Sequence, residues 1–259
     1  MSTQQQSDPS SSTSRRVVLH LDVDNFYCGV EHTDDPSLVG RPLAVTQGNS
    51  GGFVALSAEA KAAGLRKGDG VGARGRVEIE SLRRMGSMGL AECRRRVPGL
   101  VVLPMRVDRY REAGRAVLAA LERFGGPVEK TSYDDFYVEA TELVAVAAAL
   151  DSRPMSSSAS LRRARKWTRD GPAAALDDAD ALPADVLRGC VLAERMRAAV
   201  LASVGLTVSV GVGRSKVVAR MLSPDAKPDG VLGNAARRAN HCAHPRRPPF
   251  PAALPLNER

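Results

Sequence analysis

Residues Val17 to Tyr27 read VVLHLDVDNFY, and the fold turns on how that stretch is placed. Its first part alternates: Val17, Leu19, Leu21 and Val23 fall on one side of a strand, and Val18, His20, Asp22 and Asp24 on the other. The first set is a core face. The second delivers two carboxylates where the alternation stops, with Phe26 and Tyr27 opening a helix just beyond. A D-x-D after a strand is commonly turn chemistry or a helix cap. A second acidic pair, Asp134 and Asp135 in SYDDFYVEA, changes its weight. Two separated acidic clusters in strand-like sequence form the oxygen-rich set that two-cation phosphoryl transfer requires.

Working outward, Asn25 to His32 reads as a short helix closed by Asp34-Asp35-Pro36, and RPLAVTQ and GFVALSA as a hairpin around Gly48 to Gly52. Ala58 to Leu65 continues as a helix. Residues 67 to 81 carry four glycines and read as an inserted loop. Val107 to Phe124 repeats Tyr110, Gly114, Val117, Leu121 and Phe124 at helical spacing, with Asp108 able to cap its start. Pro127 to Ala140 is a strand or hairpin, and 151 to 187, rich in Ser, Ala, Arg and Asp, a flexible insertion with basic LRRARKW inside it. Val191 to Val204 is a helix, LTVSVGV a strand, and Ser215 to Leu222 a helix stopped by Pro224. The expected class is α+β, with helices on one face of an antiparallel sheet and the other face free for substrate.

The chain has 259 residues, 43% of them hydrophobic and 4% aromatic, enough for a core built mostly from Val, Leu and Ala. A net charge of +8 points to a polyanion, although a coding bias toward Arg and Ala produces the same excess. Four cysteines without C-x-x-C spacing read as reduced thiols of an intracellular protein. No apolar run reaches 18 residues, so no membrane span is expected. The first 14 residues read as a disordered polar tail, and 233 to 259 as an Arg- and Pro-rich tail. HCAH at 241 to 244 lacks a second ligand pair for zinc.

LDVDNFYCGVE, SAEAKAAGLRK, SYDDFYVEAT and SVGVGRSKVVARMLSPDAKPDG resemble, in order and rough spacing, the palm-and-fingers motifs of the Y-family (translesion) DNA polymerases. HLDVDNFY, RPLAVTQ and DRYREA are most like the eta and iota branch. The resemblance spans about residues 17 to 232 and implies a palm at 15–32 and 101–232 and fingers at 33–100. The family's thumb and little finger are not recognised, leaving a tail or truncated thumb. The implied activity is template-directed transfer of dNTP to a primer 3′-hydroxyl, with two Mg²⁺ ions, replaceable by Mn²⁺, and primer-template DNA as partner. A sliding clamp or other replication proteins are implied further partners, and the nucleus is the implied location in a eukaryote.

The resemblance maps the metal ligands onto Asp22, the Val23 carbonyl, Asp134 and Asp135, with Asp24 a structural or further acid. Asp135 stands where the family usually has Glu, one methylene longer. Tyr27 falls on the ring beneath the sugar that excludes a ribose 2′-hydroxyl; a core aromatic is the other reading. Lys61 and Lys227 match triphosphate-binding positions, Lys61 standing where Arg is usual, and Ala58 where a phosphate-binding Tyr is usual. Gln47 matches a template contact. Lys216 and Arg220, four apart on one helix face, together with Arg214 form a candidate DNA-phosphate contact or a solvated face. No base-contacting residue is carried over between 66 and 84. A truncated, catalytically weak DNA- or partner-binding remnant is the alternative function; a nucleotide cyclase is a third reading, without a recognisable purine loop.

Overall fold

The computed structural model describes residues 15–48, 51–71, 87–150, 164–168, 171–172 and 182–234. The first 14 residues, most of the glycine-rich loop, most of the 151–187 segment and residues 235–259 of the expected tail lie outside the described residues, whereas Gly233, expected to open that tail, ends a strand.

The opening stretch forms β1 (Val18–Val23), the third strand of a seven-stranded sheet. After it come α1 (Phe26–Asp34) and the hairpin β2 (Leu43–Thr46) and β3 (Phe53–Leu56). α2 (Ala58–Ala62) is capped by the Ser57 hydroxyl, which accepts from the Ala60 amide. α3 (Leu90–Arg96) leads into β4 (Val101–Pro104), which pairs parallel with β2 and completes a separate three-stranded sheet. Neither α3 nor β4 was marked by sequence periodicity.

The chain then re-enters the main sheet through α4 (Val107–Glu122) and the hairpin β5 (Val128–Lys130) and β6 (Asp135–Glu139). Asp108 does not cap α4: it lies inside the first turn and pairs with Arg111, while Arg106 takes the cap position. α5 (Thr141–Leu150) follows. Within the expected insertion the chain forms β7 (Ala164–Thr168) and β8 (Gly171–Pro172), and α6 (Ala184–Val204) begins seven residues before the expected Val191. β9 (Val208–Gly213), α7 (Lys216–Leu222, capped by Ser215) and β10 (Val231–Gly233) close the fold.

The main sheet runs β5-β6-β1-β9-β10-β7-β8. It is antiparallel from β5 to β9, and β10 pairs parallel with both β9 and β7. Val17, Leu19, Leu21 and Val23 pack, as their alternation demands, against Tyr110, Val117 and Leu121 of α4 and Cys190, Ala193, Met196 and Val200 of α6. Each fully buried Val or Leu contributes roughly 1.5–3 kcal/mol relative to exposure.

The second face is not entirely open. α7 lies across β9 and the first half of β1, so Val18, Tyr137 and Ala219 form their own cluster and His20 is only 1% exposed. Gly211 makes this possible, because a Cβ there would sit 2.0 Å from the Ala219 carbonyl oxygen of α7. The open part of that face is confined to the end of β1 where Asp22 stands.

α1 is fastened to α4 by a buried carboxylate. Glu31, 4% exposed, accepts from the Tyr110 hydroxyl at 2.5 Å and from Arg106 at 2.6 and 3.1 Å, while Asp34 takes Arg106 and Arg109 at the rim. The described cysteines, Cys28, Cys93 and Cys190, are free and buried, and burial pushes the Cys28 and Cys190 thiols up to about 12.

Candidate active site

Strand register brings the two acidic clusters together. β1 pairs antiparallel with β6 so that Asp22 lies opposite Asp135, and the Val23 amide donates to the Asp134 carbonyl at 2.9 Å. Asp22 and Asp135, 113 positions apart, thus share one strand end. Gly114 of α4 lets the turn carrying Asp134 approach, since a Cβ there would lie 2.7 Å from the Tyr133 carbonyl oxygen.

Each carboxylate has its own partner. Asp22 Oδ1 accepts from Lys227 Nζ at 2.5 Å, and Asp134 Oδ1 from the Ser132 hydroxyl at 2.6 Å. Asp135 lies 3.3 Å from Arg220 and 3.4 Å from Nε2 of His20. Held this way, no three acidic, His or Cys side chains among the described residues converge on one point. The electrostatics still register the crowding. Burial raises the Asp22 carboxyl above the usual range, the Lys227 ammonium opposes this, and Asp135 and Asp134 raise it further. Asp135 is held below the usual range, chiefly by the His20 imidazole and then by Arg220 and Lys227, against its own burial. Hard-oxygen donors close enough to repel one another, with an ammonium standing in as counter-charge, fit a divalent cation. Val23 is buried at the end of β1 between Asp22 and Asp24.

Asp24 is structural. Its Oδ1 accepts from the Ser209 hydroxyl at 2.8 Å and its Oδ2 from the Asp229 amide at 2.9 Å, tying β1 to β9 and to the 223–230 loop. Asp229 is in turn gripped by Arg197 through both its carbonyl and its carboxylate. Arg197 is 4% exposed on α6 and also donates to the Val208 carbonyl at 2.8 Å and to Glu194 at 2.5 Å. Sequence reasoning missed this arginine; the only signal was a lone charge at a position facing the core within a helical stretch.

The same loop presents Lys227. Lys61, from α2, donates to Asn25 Oδ1 at 2.6 Å at the start of α1. Its ammonium is held below the usual lysine range by partial burial, and then by Lys67 and Lys227. Two lysines expected to serve one triphosphate are therefore electrostatic neighbours. Ala58 begins α2 and offers no polar group there.

Tyr27 lies half-buried on α1, edge-on to Tyr110 with ring centroids 4.8 Å apart and near Phe26 at 5.4 Å. It lines an open depression of about 430 Å³ with Lys130, Thr131, Ser132 and Tyr133. Gln47 is exposed just after β2, on the three-stranded sheet.

The three cations expected to share a surface do not. Arg220 leans to Asp135 and the Tyr137 hydroxyl, while Lys216 pairs with Glu129 and lies over the Tyr137 ring at 5.4 Å. Arg214 turns the other way, onto Asp185 of α6 and the Arg15 and Arg16 carbonyls at the start of β1, the end opposite Asp22. A guanidinium so occupied is separated from the Lys216–Arg220 face.

The family model described as impB/mucB/samB matches residues 21–224, which takes in every carboxylate of the site. The chain belongs to this family. Among curated relatives, a protein named DNA polymerase IV from Ralstonia nicotianae is 28% identical over 84% of this chain and 45% of its own length. Another of that name from Corynebacterium diphtheriae is 31% identical over 89% of this chain and 39% of its own. Among solved structures, an insertion ternary complex of Dbh DNA polymerase aligns with a TM-score of 0.58 at 20% identity, over 84% of this chain and 48% of that one, a likeness of fold. The chain of this impB/mucB/samB member spans about half the length, or less, of these proteins. Both named relatives are bacterial, and neither the eta and iota placement nor a nuclear location draws support from them.

Proposed function

We propose that the chain is the palm-and-fingers catalytic part of a translesion DNA polymerase, which joins a primer 3′-hydroxyl to the α-phosphate of a dNTP and releases pyrophosphate. The observation that carries the proposal is the meeting of Asp22, Asp134 and Asp135 at one strand end beside Lys227. Bound there, two Mg²⁺ ions, or Mn²⁺ in their place, would lower the pKa of the attacking hydroxyl and offset charge on the leaving phosphates.

Asp22, Asp134, Asp135 and the Val23 carbonyl would hold them. Lys61 and Lys227 bind the triphosphate as point charges, in place of the bidentate grip an Arg would give. Tyr27 lies beneath the sugar, Gln47 contacts the template, and Lys216 with Arg220 lines the DNA backbone side, Arg220 also steadying Asp135. Primer-template DNA places the work inside the cell. A sliding clamp as partner rests on the family resemblance alone.

Primer extension tests the reading. Asp134→Ala should abolish dNTP incorporation and Mg²⁺-dependent nucleotide binding at an unchanged melting temperature. Full activity in that variant would refute it. Failure of the wild type even at high protein and Mn²⁺ concentrations, with DNA binding retained, would favour the weak or inactive remnant.

A further inference from the structure

His20 belongs to the face of β1 that carries Asp22, yet the proposed chemistry leaves it without a task. It is 1% exposed, beneath α7, with its ring 4.7 Å from that of Tyr137. Nδ1 lies 2.6 Å from the Ser223 hydroxyl, and Nε2 points at Asp135 Oδ1 from 3.4 Å with no hydrogen-bond partner of its own. A buried ring nitrogen left unpaired costs free energy, so something must justify its place.

The proton inventory assigns one. Ser223 has a single hydroxyl proton and two acceptors in reach, His20 Nδ1 at 2.6 Å and the Arg220 carbonyl at 3.3 Å. The carboxylate facing the other nitrogen decides between them: a bare Nε2 lone pair would repel Asp135 Oδ1, so Nε2 carries a proton and, in the neutral ring, Nδ1 accepts from Ser223. A neutral ring whose Nδ1 accepts must carry its proton on Nε2, and a protonated ring carries one there too, so both place N–H toward Asp135. The other group at Asp135, Arg220, has a side chain 56% exposed and reaches from 3.3 Å. Of the two, only the imidazole is fixed, by Ser223 on one nitrogen and Tyr137 against its face.

We propose that His20 is a positioning residue that anchors the Asp135 carboxylate from behind and limits its rotamers when a metal binds, with Ser223 setting the ring's tautomer. The proposal rests on the metal site described under Proposed function. A group orienting a ligand from behind typically changes metal affinity by roughly 10–100-fold when removed, and the 3.4 Å contact places His20 at the lower end.

The test is Mn²⁺ titration of the full chain followed by electron paramagnetic resonance, with melting temperatures measured alongside. His20→Phe keeps the aromatic volume and should weaken Asp22-dependent Mn²⁺ binding about tenfold. His20→Gln, whose amide nitrogen reaches the Nε2 position, should recover most of that affinity. Ser223→Ala keeps the ring but frees its tautomer, and should weaken binding about threefold, a fraction of the loss from removing the group itself. In an Asp135→Asn background, His20→Phe should add nothing.

A merely structural histidine predicts otherwise: the same loss with or without the Asp135 carboxylate, and Gln no better than Phe. Either result overturns the inference, as does wild-type affinity in His20→Phe. If His20→Phe does not fold, Ser223→Ala decides, and unchanged affinity there overturns the proposal. Mn²⁺ binding that Asp22→Asn leaves untouched refutes the metal site itself, and is told apart from failure of the His20 argument by that variant alone.

Discussion

Replacing Arg197 by Met should lower stability and nucleotide affinity together. The guanidinium donates to the Val208 carbonyl, to Glu194 and to the carbonyl and carboxylate of Asp229. Methionine fills much of the volume but donates nothing. Asp229 is 41% exposed at its side chain and can turn to water, whereas the Val208 carbonyl at the start of β9 loses a buried donor. Breaking a buried pair from one side costs about 3–5 kcal/mol, and the partial exposure of Asp229 places the estimate near 3. At about 2–4 °C per kcal/mol for a domain of this size, the melting temperature should fall by roughly 6–12 °C. Asp229 also anchors the loop that presents Lys227 to Asp22, so the KM for dNTP in single-nucleotide extension should rise several-fold. A melting temperature within about 2 °C of wild type would refute the reasoning.

Tyr27→Ala should admit ribonucleotides, raising the rNTP to dNTP ratio of kcat/KM by two or more powers of ten, about 2.7 kcal/mol or more at 1.36 per decade, if the ring lies beneath the sugar. A core aromatic would instead cost stability with the ratio unchanged, and parallel incorporation and melting measurements separate the two. Gly211→Ala should give a chain that melts far lower or does not fold, because the obstruction is α7 backbone 2.0 Å away, while Gly40→Ala meets no atom within 4 Å and strains only a turn. Asp34 is held below the ordinary carboxylate range by Arg109 first and Arg106 after it. Its stabilisation is therefore complete above about pH 4 and is lost as pH falls through that value and below, so melting curves of wild type and Asp34→Asn should converge in acid.

What could be read without coordinates was what is local. The alternation of Val17 to Asp24, the helical spacing from Tyr110 to Leu121, the β2–β3 hairpin and the Ser215-capped helix all follow from side-chain period and turn chemistry over a dozen residues. The Asp22–Asp135 pairing is not local. Nothing in either segment sets which residue of β6 stands opposite Asp22; that depends on the buried sets of both strands meeting the same helices. Arg197 and Glu31 hid for a related reason: a charge on an amphipathic helix reads as solvated unless its distant partner is known. α6 was read to start late because Asp185 and Arg188 break the apolar pattern, although Asp185 is taken up by Arg214, a pairing formed only in three dimensions. β4 and β10, four and three residues long, are too short to show a period.

The covering of the polar face of β1 then bears on how the site works. A face open along its whole length would let water reach both flanks of the acidic cluster. With α7 across Val18, His20 and Tyr137, the carboxylates have protein behind them and solvent or substrate only in front. Charges at such a boundary are screened less than on an open sheet, so each added cation or phosphate is felt more strongly. That is consistent with Asp22 being raised by burial and by its acidic neighbours while Lys227 opposes them. It also gives Gly211 and Gly213 of SVGVG a role at a distance from any substrate: without Cβ atoms they let α7 lie close enough to β9 to close off the back of the site.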